Sequence, residues 1–391
     1  MHIHDLITDS ATLANFCTRL SASPFIAVDT EFMRENTYWP DLCLVQVANA
    51  EEAAAIDPKA EGLDLTPLLD LLVNNEEVLK VFHAGGQDLE IIYNLTGKTP
   101  HPMFDTQIAA MALGLGEQVG YSNLVESMLG KSLDKGARFT DWARRPLDKR
   151  QIDYAIGDVT YLSAIFPKML ERLKRTGRGE WLDQEMERIA NPANYLNDPQ
   201  EAWKRIKVNS RKAEALGRLK ALAAWREVEA RGKNLPRGRI MKDETLADIA
   251  MHPPASQEAL VRVRGLTPAW KANDIGARMM AALREAKPLD PSEMPPRDER
   301  GPSLGKEGAL VADLLKLLLK VRSRESNVAA RLVARSDELE QLAAGKRQGL
   351  TILEGWRFEE FGREALDLVE GRLAFAVRGG KLVMTRTGGD E

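Results

Sequence analysis

A chain of 391 residues, 44% hydrophobic and 29% charged, with a formal net charge of −4, has the make-up of a soluble globular protein and material for two or three domains. No run approaches the roughly 18 apolar residues of a membrane helix, and no basic segment followed by an apolar run opens the chain, so neither a membrane span nor a secretory leader is expected. The two cysteines, Cys17 and Cys43, cannot frame a disulfide-rich fold, lack metal-ligand spacing and suit buried thiols in a reducing cytoplasm. The small net charge conceals an asymmetry: residues 201–290 hold 19 Lys and Arg against 11 Asp and Glu, or +8, which leaves −12 on the remainder. Such a split suits a chain in which one part grips a polyanion and another holds cations, or one with a solvated basic helical face.

Residues 1 to about 190 alternate strand and helix signals. A capping residue precedes the helical pattern of "DSATLANFCTRL", and "PFIAVDTEF" reads as a strand. "LCLVQVANA" and "EEAAAIDP" read as two further strands, consistent with a meander. "VLKVFHA" is a fourth, leading into the helix "GQDLEIIYNLTG" that Gly97 closes. "FDTQIAAMALGLG" and "YSNLVESMLG" continue in helical register. The stretch "LDKRQIDYAIGDVTYLSAIFPKMLERLKR" predicts a long helix with Ile152, Ala155, Ile156, Val159 and Leu162 on its apolar face. Strands that are first neighbours and then interleaved with helices predict an α/β domain over 1–190 built on a mixed sheet. Beyond "NPANYLNDPQ" the pattern is helical only. Residues 205–288 predict a small all-α domain, the Pro- and charge-rich 289–306 a linker, and 307–385 a second small all-α domain. The two helical parts share a rhythm of long helix, short helix and Gly-punctuated final helix, which suggests an internal duplication.

Within "IAVDTEF" two acids interrupt an apolar strand. Alternation puts Ile26, Val28, Thr30 and Phe32 on one face and Asp29 with Glu31 on the other, roughly 6.6 Å apart along the strand. Burying two like charges side by side is costly unless a cation offsets them; the alternative is an exposed face paired with Lys or Arg. Asp88 opens a helix directly after a strand, where it could equally stabilise the helix dipole. Tyr154 and Asp158 are spaced i, i+4 on one helix face, a spacing that also suits a simple hydrogen bond.

Taken together and in this order, D-x-E at Asp29 and Glu31, the acid Asp88 within "HAGGQDLE", and Y-x-x-x-D at Tyr154 and Asp158 resemble the three motifs of the DEDD 3′→5′ exonucleases, tyrosine subtype. Within that family "DTEFMRENTYWPDLCLVQVA" and "DWARRPLDKRQIDYAIGDVTYL" are similar to RNA-trimming members, and residues from about 207 resemble an HRDC domain, with 307–385 resembling a second copy. The resemblance implies a ribonuclease H-like mixed-sheet exonuclease domain followed by two HRDC-type helical domains. It implies two divalent ions, Mg²⁺ or Mn²⁺, for which carboxylate oxygens are suitable ligands. Asp29 would bridge both ions, Glu31 and Asp158 would support the ion that activates water, and Asp88 would serve the leaving-group side, partly through waters. Tyr154, a poor base at its ordinary pKa, would orient the attacking water. The implied activity is trimming of the 3′ ends of structured RNA, tRNA precursors in particular, with release of nucleoside 5′-monophosphates by a cytoplasmic monomer.

Other residues carry weaker signals. His83, Trp142, Arg144 and Arg145 are candidates to contact RNA through phosphate or base, and each has a structural alternative. Tyr38 and Trp39 could border the substrate channel; Gln46, on the neighbouring strand, receives no role. "GGQ" at 85–87 is a coincidence of position before Asp88. Lys204, Arg205, Lys207, Arg211 and Lys212 suit an RNA backbone, whereas Trp203 and Trp225 suit a core. Two rivals stand beside the RNA reading. A DNA 3′→5′ exonuclease is disfavoured because no G-x-x-x-x-G-K-[ST] loop or other motor accompanies the domain. A catalytically silent RNA-binding protein is disfavoured because all four acids and the tyrosine are present.

Overall fold

The computed structural model describes residues 1–133, 136, 140–294 and 304–387. Its N-terminal domain is a six-stranded mixed sheet in the order β1-β4-β3-β2-β5-β6, formed by β1 (His2–Ile3), β2 (Phe25–Met33), β3 (Asp41–Ala48), β4 (Glu52–Ile56), β5 (Leu79–Phe82) and β6 (Met103–Asp105). The meander is present: β2–β3 and β3–β4 are antiparallel, while β2–β5, β5–β6 and β1–β4 are parallel. β1 and β6, of two and three residues, are too short to show any alternation in sequence. In β2, Ile26, Ala27 and Val28 are fully buried, as expected where both faces of a central strand are covered. From Asp29 onward the strand is only partly buried, Thr30 excepted, and a register shift between Glu31 and Phe32 bends it there.

Among the described residues seven helices accompany the sheet: α1 (Ser10–Leu20), α2 (Thr66–Val73), α3 (Gly86–Thr96), α4 (Thr106–Ala112), α5 (Tyr121–Leu129), α6 (Lys149–Thr176) and α7 (Gly179–Ala190). Asp9 caps α1 by accepting from the Thr12 amide. α6 starts in a reciprocal capping box between Asp148 and Gln151 and ends at Gly177 in the left-handed region. Its buried face, Ala155, Ile156, Val159 and Leu162 among others, lies across β2, β3 and β4. α6 is thereby fixed directly over the half-exposed end of β2.

A first helical module comprises α8 (Ala213–Gly232), α9 (Arg237–Ile240), α10 (Asp243–Met251) and α11 (Asp274–Glu285). Its core contains Leu216, Leu219, Leu222, Leu246, Ile249 and Met279, together with Trp203 and Trp225. The expected linker begins too early at 289. Leu289 is buried, its amide donates to the Ala213 carbonyl at 2.8 Å, and Glu293 pairs with Lys220. Much of the remaining expected linker, 295–303, lies outside the described residues.

The C-terminal module holds α12 (Lys306–Ser326), α13 (Ala330–Val333), α14 (Ser336–Ala343), α15 (Gly355–Arg357) and, after a π turn at Phe358–Gly362, α16 (Arg363–Val369). It departs from the all-helical expectation in its last element, an antiparallel hairpin of β7 (Leu373–Arg378) and β8 (Lys381–Arg386). Gly379 and Gly380 both adopt positive φ, as a two-residue turn matched to strand twist requires. No helix among the described residues is long and apolar enough to cross a membrane.

Both modules dock on the sheet domain. Tyr38, just beyond β2, is buried in the core of the first module. Its hydroxyl donates to Glu227 at 2.6 Å and accepts from Arg237 and Arg231, and Asn234 accepts from the backbone amides of Tyr38 and Trp39. The expectation that Tyr38 borders a substrate channel gives way to this contact between domains. At the C-terminal module Trp181 stacks on Trp356 with ring centroids 4.3 Å apart, the buried Arg357 pairs with Glu185, and Arg178 donates to the carbonyls of Asn327 and Ser326. Gly114 meets Asn327 so closely that a Cβ would lie 2.4 Å from its carbonyl oxygen, which no side chain tolerates.

Candidate active site

The half-exposed end of β2 presents Asp29 and Glu31, and α6 brings Asp158 over them. One ligand oxygen from each of the three lies within 4.8 Å of the others. Asp88 arrives from the first turn of α3, buried, and accepts from the Thr30 hydroxyl at 2.5 Å. The turn that delivers it is tightly specified. Ala84 adopts a φ of 55°, and the Asp105 carboxylate accepts from the amides of Ala84 and Gly85 at 3.1 and 2.9 Å. A Cβ at Gly85 would lie 2.6 Å from that of Phe82, so "GGQ" owes its first glycine to close packing.

The acids raise one another's proton affinity. Burial, and then the charge of Asp158, push the Asp29 carboxyl well above the usual range. Burial and the charge of Asp29 do the same to Asp88, with the Thr30 hydroxyl opposing. Hard carboxylate oxygens converging with no imidazole or thiolate in the cluster among the described residues fit Mg²⁺ or Mn²⁺. Tyr154 lies half-buried one turn before Asp158 on α6, beside a cavity of about 410 Å³ that Leu133, Arg150, Asp158 and Tyr161 also line.

Of the four residues expected to touch RNA, the structure engages three otherwise. Trp142 is 2% exposed and packs with Cys43, Leu44, Ala155 and Ile156, its ring 6.2 Å from that of Tyr154. It is a buried support beneath the tyrosine, not a stacking platform. Arg145 makes a two-point bond to Asp57 at 2.7 and 2.6 Å and donates to the carbonyls of Trp142 and Cys43. His83 contacts the Thr106 hydroxyl and the Val119 carbonyl through its two ring nitrogens, and burial lowers its pKa. Arg144 is exposed on the same turn as Arg145.

Two residues of the site carry no chemical signal in the sequence. Thr30 sits on the strand face opposite Asp29 by alternation, and only the placement of α3 brings Asp88 to it. Tyr121 opens α5, and its hydroxyl donates to the backbone carbonyls of Asp158 and Gly157. Burial and the charges of Asp158 and Asp29 raise its phenol well above the usual range, so it stays a donor.

Comparison with known proteins bears on this arrangement. Residues 5–174, which hold all four acids and Tyr154, match the family model described as 3′-5′ exonuclease, and residues 215–283 match the HRDC domain. Ribonuclease D of Sphingobium indicum is 76% identical over 99% of this chain and all of its own length, and that of Zymomonas mobilis 64% over 98% and 99%. The chain belongs to the ribonuclease D family. The fold agrees: the crystal structure of Escherichia coli RNase D, described as an exoribonuclease involved in structured RNA processing, superposes with a TM-score of 0.78 at 30% identity, covering 95% of this chain and 99% of that one. As a ribonuclease D the protein is a 3′→5′ exoribonuclease, a phosphodiester hydrolase of a metal-dependent family. The mixed-sheet nuclease domain and the helical HRDC domain after it are as the motifs implied.

Proposed function

We propose that this ribonuclease D removes nucleotides one at a time from the 3′ ends of structured RNA such as tRNA precursors, using two divalent ions held by Asp29, Glu31, Asp88 and Asp158. The observation that carries the reading is the convergence of Asp29, Glu31 and Asp158 oxygens within 4.8 Å, with Asp88 bonded to the intervening Thr30. When bound, a pair of Mg²⁺ or Mn²⁺ ions supplies an activated water and neutralises charge on the departing oxygen. The protein's own part is positional. Asp29, which feels the charge of Asp158 and bears on Asp88, would be a ligand shared between the ions; Glu31 and Asp158 would hold the ion that activates water, and Asp88 would serve the leaving-group side. Tyr154, held over the site by α6 and supported by Trp142, orients the attacking water, since an ordinary phenol is too weak a base at neutral pH. Products are nucleoside 5′-monophosphates.

Exposed Lys204, Arg205, Lys207, Arg211 and Lys212 and the exposed Arg144 suit contacts with RNA phosphates, which makes binding salt-sensitive and sequence-tolerant. The C-terminal module is a second HRDC-like domain on this reading. α12, α13 and α14, of 21, 4 and 8 residues, repeat the order and lengths of α8, α9 and α10, of 20, 4 and 9. The protein acts as a monomer in the cytoplasm.

The test is a denaturing-gel time course on a 5′-labelled tRNA precursor with extra 3′ nucleotides, run with Mg²⁺ and with chelator, beside a matched DNA strand and the Asp29→Ala protein. Stepwise, metal-dependent shortening of the RNA that the variant lacks is the expected result. Equal shortening of the DNA would replace the RNA specificity, and intact RNA that is nonetheless bound would leave a binding protein.

A further inference from the structure

Gln46 is 0% exposed, and neither its amide nitrogen nor its amide oxygen has a hydrogen-bond partner among the described residues. Buried amides in folded proteins are rarely left so, because desolvating them without compensation weakens the fold. Gln46 lies in the antiparallel β2–β3 ladder directly opposite Asp29. Ala55 of β4, its neighbour on the far side, offers no side-chain partner. Directly opposed residues of such a pair project to the same face, with Cβ atoms about 4.5–5.5 Å apart. The orphaned amide therefore stands beside the one acid that belongs to the Asp29–Glu31–Asp158 cluster and also borders Asp88.

We propose that Gln46 is a positioning residue whose amide nitrogen donates to the Asp29 carboxylate in the cation-loaded protein and fixes the orientation in which Asp29 meets the ions. The proposal rests on the two-ion reading above. It explains why a side chain of this kind is kept in a dry position where an apolar one would pack at less cost. The missing partner forms when the acids take up their loaded geometry. An outer hydrogen bond of this sort to a metal-binding carboxylate tunes affinity without touching the substrate.

The signature is a pair of changes of opposite sign. Gln46→Met keeps the length and approximate volume of the side chain and removes both polar atoms. In chelator, the full-length variant should melt a few degrees above the wild type, because the uncompensated amide is gone. Its affinity for Mn²⁺, measured by calorimetry without RNA, should fall about 10- to 100-fold. Gln46→Leu is the second apolar variant if Met does not fold. Unchanged Mn²⁺ affinity overturns the proposal. So does weaker affinity accompanied by a lower metal-free melting temperature, or failure of both variants to fold, since either marks Gln46 as core packing. A wild-type protein that takes up no Mn²⁺ overturns the two-ion reading and this inference with it, so the two failures are separable.

Discussion

Asp29 and Asp88 show how a site can be built against the stability of its own fold. Their carboxyls are raised mainly by burial and secondly by a neighbouring acid. A carboxyl whose folded pKa exceeds its unfolded one contributes stability that is full below the unfolded value and is lost as pH rises through the folded value. The metal-free protein is therefore weakened at neutral pH by these groups, and a cation held by them would reverse the effect. Asp88→Asn should raise the melting temperature in chelator at pH 7 by a few degrees, with a smaller gain at pH 4, and should abolish most of the stabilisation that Mg²⁺ gives the wild type. Scanning calorimetry at the two pH values, with and without Mg²⁺, reads all of this. Thr30 works in the opposite sense, because its hydroxyl stabilises the ionised Asp88. Thr30→Val should raise the Mg²⁺ concentration for half-maximal cleavage by about tenfold, the worth of roughly 1.4 kcal/mol in a hydrogen bond to a charged group.

At the level of elements, the site depends on where three segments end. β2 bends after Glu31, α3 starts on the Asp105-pinned turn, and α6 is anchored above β2 by its apolar face and by Tyr121. Tyr121 reaches the α6 backbone at Gly157 and Asp158, so it sets the height of the third motif over the first. Tyr121→Phe should cost about 1 kcal/mol of stability. It should lower kcat about tenfold while leaving KM nearly unchanged, since the hydroxyl touches backbone and not substrate. A fall in KM-controlled binding alone would instead place Tyr121 on the RNA path. These dependencies were partly legible. The alternation of "IAVDTEF" and the Tyr154–Asp158 spacing could be read directly, because strand and helix periods fix which side chains share a face. The partners of Thr30 and Tyr121 could not, since their bonds join segments 58 and 37 residues apart.

Across the whole molecule, both helical modules are clamped to the nuclease domain at chemically different contacts. The first holds the segment immediately after β2 through Tyr38, Glu227, Arg237 and Asn234, so it braces the strand that carries Asp29 and Glu31. The C-terminal module docks through the Trp181–Trp356 stack and the buried Arg357–Glu185 pair. Removing one partner of a buried ion pair leaves an uncompensated charge and costs roughly 3–5 kcal/mol. Glu185→Ala should therefore loosen this module and split thermal unfolding into two calorimetric transitions, where the wild type should show a more concerted one. A single unshifted transition would mean that the stacked tryptophans hold the interface without the ion pair.

The sequence by itself determined the α/β nuclease domain and its meander, and through its motifs the resemblance that carried the helical HRDC domain; it also put forward the four acids and Tyr154 as the candidate site. The elements rest on local periodicity, and the acids and the helical domain on motif order and family resemblance, all of which the chain carries without folding. Only the tertiary structure decided that Trp142 is a buried support and Arg145 an ion-paired one, that Tyr38 belongs to a domain contact, that Thr30 bonds Asp88 and Tyr121 the backbone at Asp158, and that Gln46 lies opposite Asp29 with no partner among the described residues. The C-terminal hairpin also emerged only there, its two strands marked in sequence by little beyond Gly379 and Gly380. The physical reason is common to all of them: burial and pairing are properties of segments brought together from distant positions, and no local pattern encodes the neighbour that a side chain will meet.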